Sequence, residues 1–292
     1  MTRRLSVPPR IVFALCLLLA GLLPVRAQLL VQVKADRADY LPYEAVKLEI
    51  TLRNNTGTPL IFAEDDPRAF LRFDVSSQKR QLVLALGNLP PNPAAGLILN
   101  AGEQKLLRVR LNEHFPLQEE DVYQVQVIAG HPRLDRVYAS VPVSFKVNAG
   151  VTLWKTEFGV PAESLDAPVR RRQLSLLQFR DGPEGGLALL VEDDRRVYGV
   201  ERLGPSISGF KPQCELDGNS NIHMLSLFRP RLVQYRVYDF NLRLLQERFL
   251  VPTEGSTPAL VRDPEIGRVG VTGGRAAVEG RDFRRVEAPA GK

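Results

Sequence analysis

The sequence predicts an all-β protein in which a β-sandwich module precedes an antiparallel β-meander module. Apolar residues beyond position 27 mostly recur with period two, the pattern of strands that bury one face. Clusters of Gly, Pro, Asn and Asp separate these short runs, as turns separate strands. A break at Asn148-Ala149-Gly150 divides the two modules, which span residues 28–148 and 151–283.

Residues 1–27 have the three parts of a secretory signal peptide. A basic start precedes an apolar run over residues 11–23, and Val25 and Ala27 occupy the −3 and −1 positions of a cut after Ala27. That run has 13 residues, fewer than the roughly 18 that a membrane-spanning helix needs. We therefore expect a secreted or periplasmic chain that begins at Gln28 and has no membrane span after cleavage.

Cleavage would change both the charge and the cysteine content of the chain. The formal net charge is +6, and residues 1–27 include four arginines and no acid, which leaves the mature chain near +2. Its remaining basic groups lack the interleaved aromatic residues of a nucleic-acid groove, so no nucleic-acid partner is predicted. Only Cys214 remains, so no intramolecular disulfide can form and stability must come from apolar burial.

Seven or eight short strands are expected in residues 28–148, a number typical of an immunoglobulin-like sandwich. In the clearest one, Val46, Leu48, Ile50 and Leu52 alternate with polar residues, and Asn54-Asn55-Thr56-Gly57 then supplies a turn. The other candidates are residues 29–33, 60–63, 71–75, 81–86, 105–111, 122–128 and 138–147.

Two local motifs refine this fold prediction. Tyr123 begins a late strand, where a tyrosine corner would bond to the upstream backbone. The segment Asp39-Tyr40-Leu41-Pro42-Tyr43-Glu44-Ala45-Val46-Lys47-Leu48, followed by the Asn-rich turn, resembles the opening of many bacterial extracytoplasmic immunoglobulin-like domains. Macroglobulin-type modules and the BsuPI proteinase-inhibitor family are among them. Tyr43 stands where those domains usually have glycine. The resemblance covers residues 28–148, and domains of this kind serve as spacers, inhibitors and adhesive modules.

A weak repeat is predicted within residues 172–283. Asp181-Gly182 and Asp217-Gly218 lie 36 positions apart, and each precedes two strand-like runs. A poorer third copy begins at Asp263. The copies resemble blades of a β-propeller, but there is room for only two or three, fewer than a closed propeller needs. Three interpretations stay open: an open meander capped by the first module, a surface that pairs with another chain, or the likeness that any two meanders share. Residues 284–292 are predicted to be a disordered tail.

Residues with binding chemistry are few, and we find no catalytic set and no cofactor motif. His114, His131 and His223 lie on separate predicted elements without zinc spacing. Asp217, Asn219 and Asn221 offer oxygen ligands at alternate positions, so they are the candidate calcium site; a polar hairpin turn is the alternative. Tyr198, Tyr235, Tyr238 and Phe240 are candidates for a stacking surface, with core packing as the simpler explanation. Trp154 is expected to anchor the two modules to each other.

These observations favour a non-enzymatic binding or scaffold protein outside the cytoplasm, whose partner is an unknown protein or polysaccharide of the cell envelope. The family resemblance implies an alternative, a proteinase inhibitor that acts through a loop of residues 28–148. A hydrolase that uses acids of the second module, such as Asp217 or Glu192, is the third hypothesis. An open edge strand in the second module would favour pairing with a partner.

Overall fold

A computed structural model describes residues 27–87, 92–160, 170–180 and 185–284. Residues 1–26 of the predicted signal peptide, the predicted turn at Asp181-Gly182 and residues 285–292 of the predicted tail lie outside the described residues. The described chain forms strands and one short 3-10 helix, Leu111–Glu113, so the all-β prediction is confirmed. Within those ranges, no helical segment has the length and apolar character needed to cross a bilayer.

The described part of the first module has ten strands, eight in two sheets and two in a ribbon, around one core. They are β1 (Leu29–Ala35), β2 (Asp39–Tyr40), β3 (Lys47–Asn54), β4 (Leu60–Phe62), β5 (Phe70–Ser77), β6 (Leu97–Leu99), β7 (Gln104–Arg110), β8 (Asp121–Gly130), β9 (Tyr138–Ala139) and β10 (Val143–Val147). One sheet has the order β1-β3-β7 and the other β2-β10-β8-β5, with β9 beside β8 and β4 paired to β6. Only β2 and β10 pair in parallel among the described strands. The chain thus forms an immunoglobulin-like sandwich.

Alternation along the strands explains how the sandwich holds together. Leu48, Ile50 and Leu52 on β3 are fully buried and share a core with Val125 and Val127 of β8. Each such aliphatic side chain contributes about 2 kcal/mol on burial. The residues between them on β3 are less buried, so this strand has the predicted buried face and wet face.

Two of the predicted strands differ from the structure. Residues 81–86 form no strand; Val83 donates one backbone hydrogen bond to Val75 of β5 at 2.8 Å, and Leu82 and Leu84 are exposed. Residues 138–147 are divided into β9 and β10, since Pro142 lies between them and has no backbone N–H to give to a ladder. Apolar alternation alone therefore overestimates strand length where backbone pairing is missing.

The predicted tyrosine corner is confirmed. The Tyr123 hydroxyl donates a 3.0 Å hydrogen bond to the carbonyl of Glu119, four residues upstream. Tyr43, in contrast, is exposed and has a φ of 65°, in the left-handed region that favours glycine. The turn before β3 thus has the backbone of a glycine turn while a tyrosine occupies it. Holding a non-glycine residue there costs about 1 kcal/mol.

Asn54 fixes the turn after β3 from inside the core. The side chain is fully buried, and its Nδ2 donates to the carbonyls of Thr58 and Leu99 at 2.8 and 2.9 Å. Its Oδ1 accepts from the backbone N–H and the hydroxyl of Thr56 at 2.9 and 2.7 Å. Both ends of one amide therefore satisfy groups that would otherwise be buried without partners.

The second module contains eleven strands in two larger sheets and one ribbon. They are β11 (Val151–Val160), β12 (Arg170–Phe179), β13 (Gly186–Glu192), β14 (Val197–Pro205), β15 (Gln213–Leu216), β16 (Ile222–Arg229), β17 (Leu232–Tyr238), β18 (Leu244–Val251), β19 (Ala259–Arg262), β20 (Val269–Thr272) and β21 (Arg275–Ala276). The first sheet is the meander β11-β12-β13-β14, and the second is β15-β16-β17-β18 with β21 added. The ribbon consists of β19 and β20.

Each meander is antiparallel and four-stranded, like a propeller blade, but the predicted repeat is out of phase with it. The aligned runs are β13 and β14 in the first meander, its third and fourth strands. In the second meander they are β16 and β17, its second and third strands. The third copy, which begins at Asp263, contains β20 of the ribbon but not its partner β19, which ends at Arg262. The two Asp-Gly turns thus precede strands that occupy different positions in the two sheets, so they do not mark the start of a structural repeat.

The second module has three layers: the first meander packs on the second meander, and the second meander packs on the ribbon. Leu174 and Leu189 of the first meander share a core with Ile222, Met224 and Tyr238 of the second. On the opposite face of the second meander, a further cluster of Leu225, Val233, Tyr235 and Val237 packs against Leu260 and Val271 of the ribbon. The second meander is therefore covered on both faces.

The first meander contacts the sandwich on its other face. Leu41 of the sandwich is buried with Phe179 and Ala188. Arg202 of β14 binds Glu44 through two hydrogen bonds, Nε to Oε1 at 2.6 Å and Nη2 to Oε2 at 2.9 Å. The same Nη2 donates to the carbonyl of Asp39 at 2.7 Å. Both side chains of the Arg202–Glu44 pair are nearly buried, with 13% and 10% exposure. One arginine thus links the two modules.

We expect Asn54→Ala to lower the free energy of unfolding by about 3 kcal/mol, because buried backbone groups lose their partner. Chemical denaturation of the purified chain measures this. Asn55→Ala is the matched control: Asn55 is exposed and its side chain makes one hydrogen bond, to the carbonyl of Ala27. An equal loss in both variants would contradict the role assigned to Asn54.

We expect Arg202→Ala to uncouple the modules, because the nearly buried Glu44 carboxylate loses its partner from the second module and keeps its partners within the sandwich, Arg37 and the backbone N–H of Leu41. The second module should then unfold earlier, by about 3 kcal/mol, and a shared unfolding transition should separate into two. Differential scanning calorimetry measures both. Arg108→Ala is the control, since it removes an exposed arginine that pairs with Glu49 within the sandwich. Coincident transitions in the Arg202 variant would contradict this coupling.

Candidate binding edge of the second module

Strand β11 is an edge of the first meander. It pairs with β12 from Val151 opposite Gln178 to Val160 opposite Arg170, and no strand of the described chain pairs with its other side. The pairing shifts between Thr152 and Trp154, so Leu153 forms a bulge. A ten-residue edge of this kind presents unpaired backbone donors and acceptors to any extended segment that approaches it.

Apolar side chains are exposed at the beginning of this edge. Val151, Leu153 and Trp154 are 70%, 47% and 36% exposed. Residues 151–155 are exposed on both faces of the strand, whereas Phe158 reaches the inter-sheet core. Since soluble proteins usually bury or break up such clusters, an apolar patch on an open edge marks a binding surface.

The sequence analysis missed this strand and misplaced its tryptophan. Trp154 was expected to anchor the two modules; it lies on β11, opposite Leu176, and belongs to none of the buried clusters. The reason is that the modules meet through β14 and Leu41. The run Val151-Thr152-Leu153 does alternate apolar and polar residues. That alternation was the available signal for a strand directly after the linker.

Two of the predicted stacking residues hold an arginine of the same chain. The guanidinium carbon of Arg172 lies 3.4 Å from the centre of the Tyr198 ring and 5.3 Å from that of Phe240. Its Nη1 donates to the carbonyl of Phe240 at 2.5 Å and to Asn241 Oδ1 at 3.0 Å. The Tyr198 and Phe240 rings are therefore already occupied by a cation.

The other two predicted stacking residues lie in the core. Tyr238 is 1% exposed and packs between the meanders, and Tyr235 is 6% exposed and packs on the ribbon side. Burial raises the pKa of Tyr238 to about 12. Their positions agree with the core-packing alternative, since a ligand has no access to either ring face.

An acidic and basic cleft of about 440 Å³ lies near the far end of β11. Its lining residues are Glu157, Arg171, Arg172, Gln173, Glu192, Asp193 and Asp194. A 2.5 Å hydrogen bond from the Tyr198 hydroxyl, followed by bonds from the backbone of Arg195 and Arg196, lowers the pKa of Asp193 to about 2. Gln173 donates to Glu192 at 3.3 Å. Glu192 and Asp217, the acids of the hydrolase hypothesis, lie apart: Glu192 ends β13 of the first meander, and Asp217 lies in the turn between β15 and β16 of the second.

Asp217 closes the turn between β15 and β16. Its Oδ1 accepts from the backbone N–H groups of Asn219 and Asn221 at 2.9 and 2.8 Å, and its Oδ2 accepts from the Asn221 side chain at 2.9 Å. His223 Nε2 lies 3.2 Å from the same Oδ2, and His223 Nδ1 lies 2.7 Å from the Tyr235 hydroxyl. The carboxylate thus holds the turn and orients a buried histidine.

This arrangement bears on the candidate calcium site. Burial by itself raises the pKa of Asp217, but the hydrogen bonds from Asn221, His223 and Asn219 outweigh it and hold the pKa below its usual range. The N–H groups that bond to the Asp217 carboxylate use the oxygen lone pairs that a bound cation would need. No cluster of three or more acidic, histidine or cysteine ligands occurs in the described part of the chain. The geometry therefore favours the polar-turn alternative.

Comparison with known proteins adds little to this description. No family model and no curated protein matches the chain. Among solved structures, it is similar to the sporulation control protein Spo0M from Bacillus subtilis, with 12% sequence identity and a TM-score of 0.29. That match covers 58% of this chain and 81% of Spo0M. A likeness at this TM-score carries no argument about fold or function.

The pKa of Asp217 is lower in the folded protein than the usual aspartate value of about 3.9. We therefore expect its contribution to the free energy of unfolding to be complete above that usual pKa and to be lost as the pH falls through the lower folded-state pKa. The wild-type melting temperature should therefore fall more steeply than that of Asp217→Asn as the pH is taken from about 7 to 3. Thermal melts across this range measure the difference, and parallel curves would contradict it.

Asn219→Ala is the control, since the Asn219 side chain is exposed and the turn uses only its backbone N–H. This variant should reproduce the wild-type pH profile. Millimolar calcium should leave the wild-type melting temperature unchanged. A calcium-dependent rise that both variants abolish would instead establish the metal site.

Proposed function

We propose that the chain is an exported, non-enzymatic binding or scaffold protein whose second module binds an extended segment of a partner along β11. The observation that supports this most is the long open edge with exposed apolar residues. In β-strand addition, main-chain hydrogen bonds supply affinity, and side chains on alternate positions supply selectivity. Leu153 and Trp154 are placed to supply the apolar contacts.

The sandwich has a positioning role in this proposal. It contacts the first meander on the face opposite the inter-sheet core, through Phe179 of β12, Ala188 of β13 and Arg202 of β14, whereas β11 is an edge of the same sheet. The nearly buried Arg202–Glu44 pair and the contact of Leu41 with Phe179 restrict how the meander can turn relative to the sandwich. A partner bound at β11 would therefore be held at a defined orientation to the first module.

Export and edge binding can be tested together in the producing cell. We expect the extracytoplasmic fraction to contain a chain that begins at Gln28, as measured by N-terminal mass spectrometry. A photo-crosslinking amino acid in place of Leu153 should yield a defined adduct. The same amino acid in place of Val141, an exposed apolar residue of the sandwich, should not. Trp154→Lys should reduce the Leu153 adduct several-fold, because a lysine on an edge opposes strand addition.

Failure of the Leu153 position to crosslink any chain, with the protein intact in that fraction, would overturn edge binding. An uncleaved chain in the cytoplasm would overturn export. Identification of the adduct by mass spectrometry names the partner.

A further inference from the structure

The exposed edge of β11 is complementary to itself when it is read in the opposite direction. Its central run is Trp154-Lys155-Thr156-Glu157-Phe158. In an antiparallel pair centred on Thr156, Lys155 lies opposite Glu157 of a second copy, and Glu157 lies opposite Lys155 of that copy. Trp154 then lies opposite Phe158 of the second copy, and the same pair recurs on the other side of the centre.

The faces of the sheet agree with this register. Lys155 and Glu157 lie opposite Ser175 and Gln173 of β12, on one face of the meander. Trp154 and Phe158 alternate with them and lie on the other face, the face from which Phe158 enters the inter-sheet core. Charged residues would therefore meet charged residues on one face, and rings would meet rings on the other.

The groups needed for this pairing are available. Lys155 and Glu157 are exposed, and neither has an ion-pair partner within the described ranges. Trp154 keeps 36% of its surface exposed at the rim of the core, whereas Phe158 is 7% exposed, so a second copy can meet Phe158 only at its ring edge. Cross-strand pairs of opposite charge and of aromatic rings each stabilise a sheet by about 0.2–1 kcal/mol.

Both ends of the pairing are defined by the structure. The Gly159 carbonyl accepts a 2.6 Å hydrogen bond from the Ser220 hydroxyl, so at that end the edge is occupied by the turn of the second meander. At the other end, the bulge at Leu153 interrupts the regular strand. Residues 154–158 remain as a regular edge to which no strand of the described ranges is paired.

We infer that β11 pairs with β11 of a second copy of this chain, antiparallel and with Thr156 on the twofold axis, so that two four-stranded meanders form one eight-stranded sheet. This inference rests on the proposed function of the β11 edge and names its partner. Because the twofold axis repeats every contact, the ion pair and the ring pair each occur twice. A pair of five-residue segments is small beside a standard interface, so the dimer is weak and depends on concentration.

Charge reversal tests the register. Sedimentation velocity of the mature chain over a range of concentrations measures the dissociation constant. Lys155→Glu and Glu157→Lys should each weaken the dimer about tenfold, because each places like charges opposite one another twice. The double variant K155E/E157K restores opposite charges and should regain wild-type affinity. Arg108→Glu, on an exposed face of the sandwich, should have no effect.

A disulfide tests the position of the axis. Directly opposite residues of an antiparallel pair have Cα atoms about 4.5–5.5 Å apart, within the range that a disulfide spans. Thr156→Cys should therefore form a covalent dimer on mild oxidation, whereas Thr152→Cys should not. Cys214 does not compete, because burial raises the pKa of its thiol to about 12.

A monomer at all concentrations, or a double variant as weak as the single ones, would overturn self-pairing. If the Leu153 crosslink then contains a different protein, the proposed edge binding stands without self-pairing. If it contains no protein at all, both proposals fail. A Leu153 adduct made of two copies of this chain supports both.

Discussion

The constraint on which this structure depends is that every backbone N–H and C=O group needs a partner, and each sheet ends in two strands that have unpaired groups on one side. Three edges of the described chain are protected. β7 has charged side chains at Lys105, Arg108 and Arg110, β21 has only two residues, and β5 bonds to the chain segment at residues 80–83. β11 differs from them, since it is ten residues long and begins with apolar side chains.

The contact between the modules explains why β11 is the strand left open. The sandwich packs on a face of the first meander formed by Phe179 of β12, Ala188 of β13 and Arg202 of β14, and the order β11-β12-β13-β14 makes β11 an edge of the same sheet. The nearly buried Arg202–Glu44 pair is held by two hydrogen bonds, and a pair of that geometry fixes orientation more than it adds stability. Attachment of the sandwich to one face of the sheet thus fixes the orientation in which the β11 edge is presented for binding.

Local patterns were enough to predict much of the sandwich, because one-sided burial and turn chemistry both depend on neighbouring residues. The alternation from Val46 to Leu52 predicted β3, and Tyr123 predicted its own hydrogen bond. The sequence also showed that Tyr43 replaces a glycine, although only the backbone shows that it keeps the glycine conformation. β11 was missed because its alternation of apolar and polar residues ends after Leu153: residues 151–155 are exposed on both faces, so burial imposes no longer period. The ion pair between the modules joins residues 158 positions apart, and no local pattern records such a contact.

The charges on β11 favour one register of the β11–β11 pair and also penalise other registers. Centring the pair on Lys155 would oppose two lysines, and centring it on Glu157 would oppose two glutamates, so either shift is penalised. A shift by a single residue would set the charged face of one copy against the ring-bearing face of the other. Lysine on an edge strand ordinarily discourages pairing with any neighbour. Because Glu157 lies two residues away, Lys155 discourages all of these registers except the one centred on Thr156. The edge thereby becomes selective for one pairing register.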